Sequence, residues 1–354
     1  MQTASISPLK KRIEFIDFAK TIGIILVVLG HVYRKPDSIY NFIYSFHVPL
    51  FFLLSGVFVN FKKNSSIKIL LLNRFKNLII PYLFFYLLTY LYWIIIESRF
   101  RGDAGGIDIV WWKPLIGIFY GSNESHFMEH NTPLWFIPCL ISTEIISFQI
   151  SKYKSMITQL LLVGCCVVLG FFIFRKLGFL LPWGVGNAAI AIVFFYTGKY
   201  IKRLSSIKIV YKLFLFLLIT AIYILFIYED VPKSDLFIVS FENKFLFLLI
   251  AFYTIIMVLL FSDLFFYKMS AFWKELLSFF GLNTLIILCI HDPVKRVVIY
   301  VYSIVFEKTV AAVRTNIFDS MICVFIVMVL MIPSIIIYNK FIKEKLTNLF
   351  NNFI

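Results

Sequence analysis

Charge is what this chain has least of. Only 15% of its 354 residues are charged, and Asp and Glu together number 19. A soluble globular domain carries about a quarter charged residues, so a water-borne fold is excluded. The composition is instead 61% hydrophobic, with a mean hydropathy of +0.90. Alternation is missing as well: the apolar segments are continuous runs such as 190–196 and 245–261, which excludes the dyad pattern of an outer-membrane barrel. The five cysteines (Cys139, Cys165, Cys166, Cys289 and Cys323) all fall in apolar runs without metal-ligand spacing, and are expected to be small buried packing residues. No small-x-small cleavage site follows Gly30, where His31 and Val32 stand, so the first apolar segment is expected to be a retained transmembrane helix. Neither an appended soluble domain nor an internal repeat of the transporter kind is visible.

The long apolar runs that remain predict an all-α polytopic membrane protein of about ten transmembrane helices. The expected spans are about 14–33, 40–60, 77–97, 132–150, 156–174, 185–201, 210–228, 244–263, 279–302 and 318–338. On this plan residues 1–13 form a cytoplasmic tail, 14–338 the membrane domain, and 339–354 a basic cytoplasmic tail. Of the 34 Lys and Arg, twenty fall in segments then placed inside and eleven outside. That excess fits both termini being cytoplasmic. The net charge of +15 is therefore mostly topology, and points to no nucleic-acid partner.

The first span, IEFIDFAKTIGIILVVLGHV, carries Asp17, Lys20 and His31. Lys20 and His31 are eleven residues apart, close to three helical turns, and so share one face about 16 Å apart along the axis. Ionisable side chains inside a membrane helix are costly and face a bundle interior or a wet cavity. The second helix brings His47 to a similar depth, with Ser55 and Gly56 deeper, where glycine lets helices approach closely. At the inner side a basic loop ends in Arg74-Phe75-Lys76-Asn77. Lys20, Arg74 and Lys76 would suit the phosphates of a ligand, with His31 as general base or acyl relay at the other end. A phosphorylated head on a long thioester-bearing arm, the shape of coenzyme A, would bridge them. The plainer readings are a Lys20–Asp17 pair, a helix-capping His31, and Arg74 and Lys76 as positive-inside residues. In the long outer loop Trp111 and Trp112 read most simply as interfacial anchors, with a sugar-stacking platform as the alternative. His126 and His130 have helical metal spacing but no third ligand, so no metal is expected.

The first-helix pattern of a basic residue, ten positions, then His (Lys20 and His31) and the run FHVPLFFLLSG from Phe46 to Gly56 resemble the membrane-bound acyltransferase-3 family. The nearest branch is that of fucose-4-O-acetylase-like and polysaccharide O-acetyltransferases. NRFKNLIIPY (Asn73 to Tyr82), NTPLWFIPCL (Asn131 to Leu140), GNAAIAIVFFYTGKYIKR (Gly186 to Arg203) and GLNTLIILCIHDP (Gly281 to Pro293) extend the likeness over essentially the whole chain. One departure is that Asn77 stands where the family often has the second Arg of an Arg-x-x-Arg pair, leaving Lys76 to supply that charge.

The resemblance implies transfer of an acetyl group from cytoplasmic acetyl-CoA to a hydroxyl of an envelope polysaccharide or lipid-linked sugar, in a bacterial inner membrane and without a metal. It implies a catalytic His31, assisted by Lys20 and Asp17, and a donor site of Arg74, Lys76 and Lys20. His47, Glu144, Asn283, His291 and Trp135 are candidates for contact with the acceptor, and His291 equally reads as the mark of a kink at Pro293. The competing reading is a transporter or export accessory for glycans or lipid-linked sugars, which predicts paired discontinuous helices. A third is a structural partner in a glycan synthase complex.

Overall fold

The computed structural model describes residues 14–59, 61, 66–98, 110–229 and 231–351. The tail expected at 1–13 lies outside the described residues. The helices are α1 (Glu14–Val32), α2 (Ser38–Phe58), α3 (Ile67–Glu97), α4 (Lys113–Tyr120), α5 (Phe136–Ile150), α6 (Met156–Val168), α7 (Val185–Gly198) and α8 (Ile209–Phe226). A two-residue ladder follows, β1 (Ser234–Asp235) antiparallel to β2 (Ser240–Phe241). Then come α9 (Lys244–Phe266), α10 (Ala271–Leu282), α11 (Thr284–Val305), α12 (Val310–Thr315) and α13 (Ile317–Ile337). The last helix runs on through a π-helical turn to Asn351, so most of the expected tail is a helical extension of the final span.

Each of the ten expected spans overlaps a helix, although the third, 77–97, starts ten residues into α3 and the ninth, 279–302, straddles the break between α10 and α11. Seven helices are long and apolar enough to cross a membrane, and α10 with α11 makes an eighth if the bent pair is one span. The two remaining, α7 and α8, are shorter. The chain is an all-α polytopic membrane protein.

α1 is the central post. Its apolar side chains are so evenly spread that both sides of the helix are buried, from Phe15 and Ile16 to Val28 and Val32. A helix apolar all round needs neighbours all round, and α2, α9, α10, α11 and α13 pack against it. By contrast the span Met156–Ile173 is only 17% buried and turns its apolar side chains outward, as a lipid-facing helix does. This corrects one expectation: Cys139, Cys289 and Cys323 are buried, but Cys165 on α6 is exposed.

Small residues decide where backbones touch. A Cβ on Gly56 would sit 1.9 Å from the Phe195 carbonyl oxygen, and one on Gly198 would sit 2.2 Å from that of Leu53. α2 and α7 therefore meet backbone to backbone, the contact that small residues permit in membrane bundles.

The break between α10 and α11 is a bend of 78°. It falls at Asn283, not at Pro293: α11 passes through Pro293 without interruption. A proline inside a helix leaves the carbonyl four residues earlier without its donor, here that of Cys289. Asn131 Nδ2 donates to that carbonyl at 2.6 Å and so lets the helix continue. Asn283 is committed to the bend itself, donating to the Phe279 carbonyl at 2.7 Å and accepting from Asn339 at 2.8 Å. Asn283 lines neither of the two cavities inside the bundle.

Candidate active site

Two cavities meet inside the bundle. The first, about 530 Å³, runs along α1 from Lys20 past Ile24 and Val27 to His31, and is closed by α2, α3, α5 and α11. The second, about 360 Å³, lies beyond the other end of α1 and is walled by Arg34, Tyr44, Asp235, Lys295, Arg296 and Arg314 among others. His31, His47, Val48 and Trp135 line both cavities. The shared wall thus carries two imidazoles and one indole.

The helical period that put Lys20 and His31 on one face holds: both line the first cavity. Lys20 Nζ is 3.5 Å from Asp17 Oδ1 and 4.8 Å from the centre of the Phe58 ring. Asp17, the partner of Lys20 in that pair, is buried and lines neither cavity. Arg74 pairs through Nε with the buried Glu144. Its terminal nitrogens form no other hydrogen bond with the described residues, so Glu144 fixes the guanidinium and leaves its fork available. Asn73 and Asn77 line the cavity beside it, whereas Lys76 does not. Successive residues on a helix point about 100° apart, so the charge expected from Lys76 leaves on another face.

The imidazoles differ in what they have already spent. His47 Nδ1 lies 2.6 Å from the Ile43 carbonyl, and His291 Nδ1 lies 2.9 Å from that of Ile287. A carbonyl only accepts, so in both rings Nδ1 carries the hydrogen and Nε2 is left as a base. The His31 ring makes no hydrogen bond with the described residues. It sits 5.3 Å, centre to centre, from the His291 ring, which is buried and lines neither cavity. The end of α1 that carries His31 is held from outside: Arg314 donates to the carbonyls of His31 and Val32, and the Arg34 amide donates to that of Arg314 at 2.8 Å. A cation over free carbonyls at a helix C-terminus is the favourable sense of the helix dipole.

A buried ion network faces the second cavity. Asp292 accepts from Lys295 at 3.1 Å and Arg296 at 2.5 Å, and Arg296 also pairs with Glu97 at the end of α3. Intramembrane charge is therefore not confined to the first three spans. Asp235 stands across the cavity, where burial pushes its carboxyl up to about 6. Trp135, expected at the acceptor, is buried in the shared wall with its ring 5.2 Å from that of Phe237. Among the described residues no group of three His, Cys, Asp or Glu is placed to hold a metal ion.

A family model described as an acyltransferase domain matches residues 13–347, which is nearly the whole chain. The chain belongs to the acyltransferase-3 family. It is a membrane acyltransferase. Comparison with curated proteins and with solved structures returned no match.

In this acyltransferase, sequence reasoning missed Arg34, Arg314, Asp235 and the Glu97–Arg296 pair. Arg34 follows His31 by one helical turn and was visible as an outer cation. The others reach the site from distant parts of the chain, and no spacing in the sequence announces them.

Proposed function

We propose that this acyltransferase moves an acetyl group from cytoplasmic acetyl-CoA to a hydroxyl of an envelope polysaccharide or lipid-linked sugar, with His31 as the base. The observation that carries this is the pair of cavities with His31 in their common wall. Charge bias in the loops puts the Lys20 end of α1 on the cytoplasmic side. The first cavity then takes the donor. Arg74, Lys20, Asn73 and Asn77 offer donors to its phosphates, and Ile24, Val27 and Leu54 form an apolar channel for the arm that brings the thioester to His31. The second cavity takes the acceptor. His31 removes the proton from the acceptor hydroxyl as its oxygen attacks the thioester carbonyl, the carbon–sulfur bond breaks, and the proton passes to the departing thiolate. His47, fixed with Nε2 as an acceptor, stands in the same wall to steady the hydroxyl. The bacterial inner membrane is the setting in which such donors and acceptors face each other. Family membership favours this reading over a glycan exporter, which predicts discontinuous helices in related pairs, where the described residues contain one bent pair.

The test is the O-acetyl content of envelope glycans, read by proton NMR, in cells carrying the chain or its His31→Ala variant at equal membrane abundance. The reading predicts acetyl signals with the first and none with the second. Unchanged acetylation with reduced glycan export would replace it by the exporter reading.

A further inference from the structure

Resting on that reading of the second cavity as the acceptor chamber, we infer that the acceptor is an anionic saccharide. Its carboxylate or phosphodiester docks on Arg34 at the chamber rim while its hydroxyl reaches His31.

The charges of the chamber support this when each is followed to its partner. Asp292 already takes Lys295 and Arg296. Glu129 accepts from Asn123 at 3.0 Å and lies 3.3 Å from His126 Nδ1. Asp235 accepts from the Phe237 amide at 2.8 Å within its own turn. Arg34 forms no ion pair with the described residues, although its neighbour Lys35 lies 3.8 Å from Asp37. The Arg34 guanidinium donates to the Tyr40 hydroxyl, whose ring stacks on that of Tyr44 at 4.2 Å, and feels the Asp292 and Asp235 carboxylates only from beyond ion-pair contact.

Its backbone is fixed too, through the bond from the Arg34 amide to the Arg314 carbonyl. The result is a guanidinium facing two phenols, with no carboxylate of the described residues in ion-pair contact, one turn beyond His31 and lining the chamber. The positive-inside bias gives no reason for a cation on the outer face. Planar, bidentate recognition of carboxylate or phosphate does. A neutral sugar would leave its fork without a contact partner.

The experiment uses the full chain in lipid nanodiscs with labelled acetyl-CoA and three probes: a glucuronate-containing oligosaccharide, a glycerol-phosphate oligomer and a neutral glucose oligomer. Acetyl transfer and probe-induced shifts of Tm are read for the wild type, Arg34→Gln, Arg34→Lys and His31→Ala. The expected result is that one anionic probe raises the Tm of wild type and His31→Ala and is acetylated by the wild type; which of the two does so separates carboxylate from phosphate.

Arg34→Gln should raise the KM for that probe about 10- to 100-fold, the range of one hydrogen bond to a charged group. The KM for the neutral oligomer should rise less, and Arg34→Lys should recover part of the loss. The inference is overturned if neither anionic probe shifts Tm, if the neutral oligomer is bound and acetylated as well as they are, or if Arg34→Gln weakens all three alike. Binding of an anionic probe with no acetyl transfer in the wild type would instead sink the acyltransfer reading and leave the anion site standing.

Discussion

His31 is set apart by what it has not committed. His47 and His291 each give their Nδ1 hydrogen to a carbonyl of their own helix, while the His31 ring is left to the two cavities. Loss of a positioned base costs about 10²- to 10⁴-fold in rate, so His31→Gln should lower acetyl transfer by that factor with Tm unchanged, measured on the purified protein. Glu144 pairs with Arg74 in the wall of the first cavity, which makes it a positioning residue for that guanidinium. Glu144→Gln should therefore raise the KM for acetyl-CoA about tenfold with a smaller change in kcat, because a weaker anchor frees the guanidinium it orients; an equal fall in kcat would place Glu144 in the chemistry. Asp235 gives a pH test. Its carboxyl is pushed up to about 6, above its value in an unfolded chain, so ionisation opposes the fold as pH rises toward 6 and beyond. Asp235→Asn should raise Tm at pH 8 and lose that advantage near pH 4. At this scale the sequence was legible wherever one helix carried both partners, as with Lys20 and His31. It was silent where the partner came from elsewhere, as with Arg314 over the end of α1.

Among the elements, α11 and α2 show how local rules are overridden and then repaired. The sequence marked Pro293 as a possible kink, yet the helix stays whole because Asn131 serves the carbonyl that proline orphans. Asn131→Ala should cost about 1–3 kcal/mol, the penalty of an unmet buried acceptor. Adding Pro293→Ala, which restores an amide hydrogen to Cys289, should return part of it; an additive loss in thermal unfolding would show that the two are not coupled. At Gly56 the space for any side chain is taken by the Phe195 carbonyl. Gly56→Val should leave little folded protein in the membrane, whereas Gly164→Ala, with nothing within 4 Å of the new carbon, should be tolerated. Glycine's part in close approach was readable at Gly56, but not that α7 is the partner, since chain order says nothing about which spans touch.

For the molecule as a whole, hydropathy placed a helix under every expected span, because length and apolarity are properties a single segment carries by itself, although the third helix begins ten residues early and seven or eight are long enough to cross a membrane. The bend at Asn283 and the junction of two cavities are properties of several helices together, and only the folded chain displays them. If the acetyl group passes through the wall that His31 shares, the two sides of the membrane must supply different reactants. The most direct measurement uses oriented proteoliposomes with labelled acetyl-CoA confined to the face of Lys20 and Arg74, and acceptor glycan confined to the face of Arg34 and Arg314. Labelled glycan should accumulate on the acceptor side with the wild type and not with His31→Ala. Labelling only when both reactants share one side, or equal labelling by the variant, would contradict transfer through His31.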